Sequence, residues 1–169
     1  MQITFRKLAP SDSETYRITR LKCLQEYPNN FTSDYESERK KEKLMFSAFI
    51  ESDDEENFVF GAFNGKECVG ICGFLRETKV RTKHRGGLIQ VYVAKGHQGK
   101  GIGKELVLRS ARKAFDEVGV EQVNLSVVAG NDGAKAIYEK CGFAEYGRLN
   151  RHSKIGDDYF DEIFMIKYK

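Results

Sequence analysis

Apolar and polar residues alternate over residues 2–8, with Ile3 and Phe5 on one side, which is the period-two pattern of an edge strand. Ser11 or Asp12 then offers a cap for a helix running to about Glu26, with Tyr16, Leu21 and Leu24 among its apolar positions. Pro28 disfavours helix at Tyr27, so the helix ends there. A second helix is expected over residues 34–50, with the stripe Leu44, Met45, Ala48 and Phe49, and the acidic run at 51–56 reads as a solvated loop. Two strand-like runs, 58–63 and 67–75, flank Asn64-Gly65, a pair that favours a type I′ hairpin turn. The second run is apolar on both faces and belongs inside a sheet. After a basic loop at 79–85, residues 88–94 read as a strand. Residues 101–118 read as a long helix that buries Leu106, Val107, Ala111, Ala114 and Phe115. Gln122–Val128 is an apolar strand, Asp132–Lys140 a short helix stopped by Gly142, and 143–148 and 159–168 are two last strands. The order β-α-α-β-β-β-α-β-α-β-β describes one α/β mixed sheet with helices packed on it. No repeat, low-complexity tract or linker interrupts it, so residues 1–169 read as a single domain.

Composition narrows the class. A chain of 169 residues that is 40% hydrophobic and 31% charged has the balance of a soluble globular protein. Its net charge of +3 is slight, and no basic block with interleaved aromatics suggests a nucleic-acid partner. No apolar run approaches the ~20 residues that span a bilayer, and residues 1–6 lack the form of a signal peptide, so neither a membrane nor export is expected. Cys23, Cys68, Cys72 and Cys141 are scattered, with no paired spacing and no histidine cluster. Cys68 and Cys72 are expected on the same face of an apolar strand as small buried residues, in a reduced, cytoplasmic protein without a metal.

The candidate chemistry lies between the strand at 88–94 and the helix after it. Gly99, Gly101 and Gly103 strip side chains from the helix entrance, so its backbone N–H groups can approach a ligand closely. Those first N–H groups have no partner within the helix, and the helix dipole adds positive potential. Lys100 and Lys104 add formal charge, which suits a phosphate or pyrophosphate. A Walker loop does not fit: the spacing is wrong, and Glu105 stands where a metal-binding hydroxyl is needed. A dinucleotide fingerprint does not fit either, since the glycines read G-x-G-x-G after a longer connection. Gln98-Gly99-Lys100-Gly101-Ile102-Gly103 satisfies Q/R-x-x-G-x-G/A, and in this it resembles the pyrophosphate loop of the GCN5-related N-acetyltransferase (GNAT) family. About thirty residues on, the run from Asn131 to Phe143 resembles that family's N-x-x-A-x-x-x-Y-E-K-x-G-F signature; Gly133 departs from it, where many members carry arginine or serine. The order of elements is similar to the GNAT fold over almost the whole chain.

The resemblance implies acetyl-coenzyme A as acetyl donor, no metal, and an amine acceptor on a small molecule, amino acid or peptide, with the protein a monomer or homodimer. It implies that the fourth and fifth strands splay apart. The backbone of Val91, Tyr92 and Val93 would then bond the pantetheine arm as an added strand. Gln98, Gly99, Lys100, Gly101, Ile102, Gly103 and Lys104 would hold the pyrophosphate, and Asn131 would contact the arm, cap the helix behind it, or do both. A backbone N–H near Val93 would polarise the thioester carbonyl. Tyr138 would protonate the leaving sulfur, although Ala134, Ile137, Tyr138 and Cys141 also form a helical stripe that suits core packing. Residues 88–91 supply no carboxylate base. Glu77, His84, Asp161, Glu162 or a water chain remain as candidates, and Tyr27, Phe31, His152 and Tyr159 as lining of the acceptor cleft. A catalytically weak coenzyme A-binding sensor of the same fold is the alternative, and an unrelated nucleotide-binding domain a more distant one.

Overall fold

A computed structural model describes residues 2–169. Seven strands among these residues form one sheet: β1 (Ile3–Lys7), β2 (Phe58–Asn64), β3 (Glu67–Arg76), β4 (Arg85–Val93), β5 (Gln122–Val128), β6 (Ala144–Ile155) and β7 (Asp158–Tyr168). They lie in the order β1-β2-β3-β4-β5-β7-β6. All neighbours are antiparallel except β4 and β5. That one parallel contact requires a crossover, supplied by α4 (Ile102–Lys113) and a π-helical turn over Ala114–Val118 that Gly119 stops at φ 79°. The amphipathic helix expected at 101–118 is thus present, with its last turn widened.

Each face of the sheet has its own core. Leu106, Val107 and Ala111 of α4 join Phe58, Val69, Phe74, Leu88, Leu125 and Met165 on one face. On the other, Tyr16 and Cys23 of α1 (Ser13–Glu26) pack with Phe46, Ile50, Val59, Ile71 and Tyr92. α1 follows a 3-10 turn, Pro10–Asp12, and ends before Pro28 as expected. Asp12 does not cap it by its side chain; the carboxylate instead takes two hydrogen bonds from Arg6 (2.5 and 2.9 Å) and one from the Ala9 N–H (2.7 Å).

Three expectations are corrected. The helix over 34–50 is instead two short helices, α2 (Tyr35–Glu38) and α3 (Ser47–Glu51), joined by turns. Leu44, Phe46 and Ile50 are all buried, whereas Met45 is 54% exposed and Ala48 is exposed; residues 44 and 46 could not share one side of a helix. The Leu44 N–H donates to Ser47 Oγ (3.0 Å) and the Phe46 N–H to the Tyr16 hydroxyl (3.3 Å), which fixes the bend. The hairpin turn is shifted by one residue: Asn64 still pairs with Glu67, Gly65 alone has positive φ (60°), and a type I′ turn would need it at both central residues. Cys68 and Cys72 lie on opposite faces, because the β2–β3 register slips between Ala62 and Phe63 and interrupts the alternation. The acidic run is an exposed loop, as expected, and its charges are paired: Asp53 and Glu55 meet Lys7, Glu55 also meets Lys113, and Glu56 meets Arg76.

α5 (Asp132–Lys140) ends at Gly142 with φ 89°. β4 starts earlier than expected, at Arg85. A Cβ on Gly86 would lie 2.3 Å from Phe74, so only glycine lets that ring stack on Phe58. β6 runs on to Ile155 as an exposed outer strand whose polar sequence and two register shifts hide it.

Candidate functional site

Parallel pairing of β4 with β5 runs from Arg85↔Gln122 to Gly87↔Asn124 and stops, although both strands continue. Beyond that point β4 stays bonded to β3 as far as Gly70↔Val93, and β5 to β7 as far as Val128↔Glu162. The strands therefore diverge into a V-shaped cleft between residues 88–93 and 125–128. The Ala94 N–H bonds back to the Val69 carbonyl (2.9 Å). Backbone groups alternate in direction along a strand, so those of Val93 and Val91 point into the cleft. Groups left without a ladder partner in this way form an edge that an extended, amide-bearing ligand can pair with.

A bulge shapes the cleft wall. Between the pairs Ile71↔Tyr92 and Gly73↔Ile89, Cys72 faces both Gln90 and Val91, and Gln90 takes φ 57°. Its side chain is held on the α1 face: Oε1 accepts from the Tyr16 hydroxyl (2.9 Å), and Nε2 lies 3.8 Å from Met45 Sδ. Tyr16 thus joins α1, the bulge and the bend at Phe46. Burial pushes its phenol up to about 12. Sequence reasoning missed both residues. The available signal was spacing: Leu88, Val91 and Val93 share one face and Ile89 and Tyr92 the other, so one interval is three rather than two.

After Val93 a 3-10 turn, Lys95–His97, leads to the glycine loop. Gly99 and Gly101 have φ 73° and 78°, and a Cβ on either would meet nothing within 4 Å. The loop is open where the first N–H groups of α4 emerge. Gly103 differs: its Cβ would face Val93 and Ile137 at 3.5 and 3.7 Å. Ile102 is buried and packs into the core. Gln98 turns back to α1, its Nε2 donating to the Tyr27 hydroxyl (2.6 Å), and Lys100 Nζ donates to the Gly96 carbonyl (3.1 Å). Lys104 is exposed. One carboxylate ties the loop down: Glu26 accepts from the Tyr92 hydroxyl (2.9 Å) and the Lys95 N–H (3.1 Å). Burial and that carboxylate raise the Tyr92 phenol. The side chain of Tyr92 is core and its backbone pairs with Ile71 of β3, so, contrary to the expectation for Tyr92, the cleft edge is left to Val91 and Val93.

On the β5 side, Asn131 Oδ1 caps α5 by accepting from the Ala134 N–H (3.3 Å), which leaves its NH₂ as the group aimed elsewhere. Tyr138 is 6% exposed, edge-on to Phe143, and its phenol is raised by burial. Among the described residues its hydroxyl has no hydrogen-bond partner, yet it is absent from the fully enclosed unpaired atoms, which are on Arg20, Arg85, His97 and Ser110. The ring is thus packed in the core, and the hydroxyl stands there without a bonded partner among the described residues.

The α1 face of the sheet beyond the cleft carries Ser126 of β5 and, paired across from it, Phe164 of β7; Glu162 is the next β7 residue on that face. His152 lies edge-on to Phe164 (6.2 Å, 87°), with Nδ1 3.8 Å from Glu162 Oε2. The other candidate bases do not gather here. The Glu77 N–H bonds Arg85, which is about 16 Å along β4 from Gln90 at ~3.3 Å per residue, and His84 precedes Arg85. Asp161 is occupied by Arg148 (2.7 Å) and the Arg151 N–H (2.8 Å), which lower its carboxyl below the usual range. Tyr159 is 51% exposed beside the hairpin turn under Arg151 and Lys154, and Phe31 covers Arg20.

The chain is similar to known acetyltransferases. The model of the family described as "Acetyltransferase (GNAT) family" matches residues 20–143. The spermidine N(1)-acetyltransferase of Vibrio cholerae is 30% identical over 131 residues, covering 78% of this chain and 73% of that protein. The N-alpha-acetyltransferase MAK3 of Arabidopsis thaliana is 39% identical over 105 residues; the match covers 60% of this chain and 52%, about half, of that protein. The fold matches that of yncA, a putative acetyltransferase from Salmonella typhimurium solved with acetyl-CoA, at a TM-score of 0.81 and 17% identity over 99% of this chain and 94% of that one.

Proposed function

The chain belongs to the acetyltransferase (GNAT) family, and we propose that it transfers the acetyl group of acetyl-coenzyme A to a primary amine of a small molecule, amino acid or peptide. The observation that carries the reading is the end of β4–β5 pairing at Gly87↔Asn124 while both strands continue. Val91 and Val93 turn unpaired N–H and C=O groups into that gap, at the spacing an extended pantetheine arm requires. The α4 entrance fits a pyrophosphate: Gly99 and Gly101 leave open space, the helix N–H groups are free, and Lys100 and Lys104 are exposed. The Asn131 NH₂ completes the β5 side as a donor to the arm.

Acetyl-coenzyme A supplies a thioester carbonyl that an amine can attack. The Val93 N–H polarises its oxygen, fixed in direction by the β3 ladder and so needing no reorganisation. Tyr138 protonates the departing sulfur, and its raised phenol keeps the proton on oxygen at neutral pH. The acceptor approaches over the α1 face beside Ser126, Glu162 and Phe164. Relatives named for spermidine and for protein α-amines support an aliphatic primary amine. Calorimetry should show acetyl-coenzyme A binding, and free-thiol release should follow addition of spermidine or of a short peptide with a free α-amine. Absence of binding would refute the reading at its first step.

A further inference from the structure

We propose that His152 is the proton acceptor for the attacking amine and that Glu162 positions it, a proposal that rests on the acetyl-transfer reading above. β6 pairs Leu149 with Glu162 and then Ser153 with Phe160, so residues 150–152 stand against Asp161 alone. The extra length is a built kink. Arg151 takes φ 55°, its N–H donates to Asp161 (2.8 Å), and Arg148 holds the same carboxylate (2.7 Å). Bulges of this kind re-aim a side chain. Here the kink turns His152 onto the α1 face, edge-on to Phe164, which is opposite the exposed Ser126 of β5.

Glu162 is well placed to hold the ring. It pairs with Val128 at the last rung of β5, on the wall of the cleft, and its side chain is only 15% exposed. With Nδ1 of His152 turned to Glu162, Nε2 is left for the acceptor. A separation of 3.8 Å is long for a hydrogen bond, but catalytic contacts tighten when the substrate is bound. The charges around the ring are few. Glu162 and Asp161 come from β7, and Arg148 neutralises Asp161; Arg151 and Lys154 of β6 lie over Tyr159; β5 presents Asn124 and Ser126, which carry no charge. Glu162 is therefore the nearest unneutralised charge, and it stabilises the imidazolium as that forms.

The step balances. The amine lone pair forms the C–N bond while the carbonyl π pair moves to oxygen. His152 then takes the proton from nitrogen, directly or through one water. The pair on oxygen re-forms the carbonyl as the C–S bond breaks, and the sulfur receives the Tyr138 proton. Amide and free thiol leave, His152 returns its proton to solvent, and Tyr138 regains one. An imidazole both takes up and releases a proton readily, which suits this role.

The test compares the full chain with His152→Gln and Glu162→Gln. Thiol release is followed on spermidine and on a short peptide amine across about pH 5 to 8, the imidazole range, with kcat/KM expressed on the neutral amine present at each pH so that the acceptor's own ionisation drops out. His152→Gln should lower kcat by about 10²-fold or more and remove the acidic limb of kcat/KM, with acetyl-coenzyme A affinity unchanged. Glu162→Gln should move that limb to lower pH by about half a unit to one unit, since the imidazolium loses its carboxylate. The chain has 3 histidines, so the His152 imidazole signal can be assigned by its loss in the variant, and its titration should shift equally. A limb that persists in His152→Gln, or a His152 titration unmoved by Glu162→Gln, overturns the proposal. A parent chain that binds acetyl-coenzyme A but acetylates neither amine overturns the transfer reading itself, and the His152 role with it.

Discussion

Gly101 and Gly103 sit two residues apart in the same loop, and their backbones demand opposite outcomes from the same substitution. Gly101 holds φ 78° as the cap residue before α4, while Gly103 lies inside the first helical turn. Placing an L-residue in the left-handed region costs about 1–2 kcal/mol. A Cβ at Gly101 meets nothing within 4 Å, so no clash adds to that cost. Restricting the unfolded chain returns about 0.4–1 kcal/mol, and Gly101→Ala should therefore destabilise by roughly 0.5–1.5 kcal/mol. Gly103→Ala pays no such strain. Its Cβ finds ordinary contacts with Val93 and Ile137 at 3.5 and 3.7 Å, and alanine in a helix gains about 0.5–1 kcal/mol over glycine. At about 2–4 °C per kcal/mol for a chain of this size, the two melting temperatures should move in opposite directions and separate by several degrees. Binding should separate them as well. The Gly103 Cβ faces protein, and Gly103→Ala should hold acetyl-coenzyme A nearly as the parent does. Gly101→Val, with a branched Cβ in the open space by the α4 N–H groups, should abolish binding while the chain stays folded. Thermal melting and calorimetry on the three variants decide the matter. Equal melting shifts for the two alanine variants, or parent-like binding by Gly101→Val, would refute the loop assignment.

Tyr138→Phe should lower kcat by about 10²-fold or more, read by single-turnover thiol release, with acetyl-coenzyme A affinity retained. Its melting temperature should be nearly unchanged, because the hydroxyl bonds no partner among the described residues; a core role alone would give parent-like turnover. Asp12→Asn should cost about 1 kcal/mol at neutral pH, since a carboxylate bonded to Arg6 and the Ala9 N–H becomes neutral and Arg6 is half exposed. Those hydrogen bonds lower the folded pKa of Asp12, so its stabilisation is complete above its usual value near 3.8 and is lost as pH falls through the depressed one. Parent and variant melting curves should therefore converge in acid and part above about pH 5.

The elements legible in the sequence were those whose local pattern and tertiary setting agree. α4 shows its apolar stripe because one side faces the sheet and the other solvent, and β3 reads as an inner strand because both of its faces are covered. The glycine loop was legible because positive φ at Gly99 and Gly101 restricts what the positions accept. The region 34–50 misled for the opposite reason. Its composition favours helix, yet burying Leu44, Phe46 and Ile50 under Tyr16 takes a bend that no local propensity encodes.

What the periodicity could not supply is concentrated where the chemistry is proposed. Gln90 breaks the alternation of β4 with one extra residue, and the stretch 150–152 breaks that of β6. A regular strand would keep each side chain on the face its neighbours dictate. One inserted residue releases a side chain from that constraint at the cost of a ladder bond, and the structure around it must hold the result. Tyr16 does so for Gln90, and the Arg148–Asp161 pair does so for the turn that carries His152. Both devices act between residues far apart in the chain, separated by 74 positions in the first case and 13 in the second. Read one strand at a time, each is only a lapse in pattern. Their coincidence on one face of one cleft is visible only once the sheet has been assembled, and the proposed roles of Glu162 and His152 rest on that coincidence, whereas Glu77, His84 and Asp161, equally plausible by residue type, do not gather there.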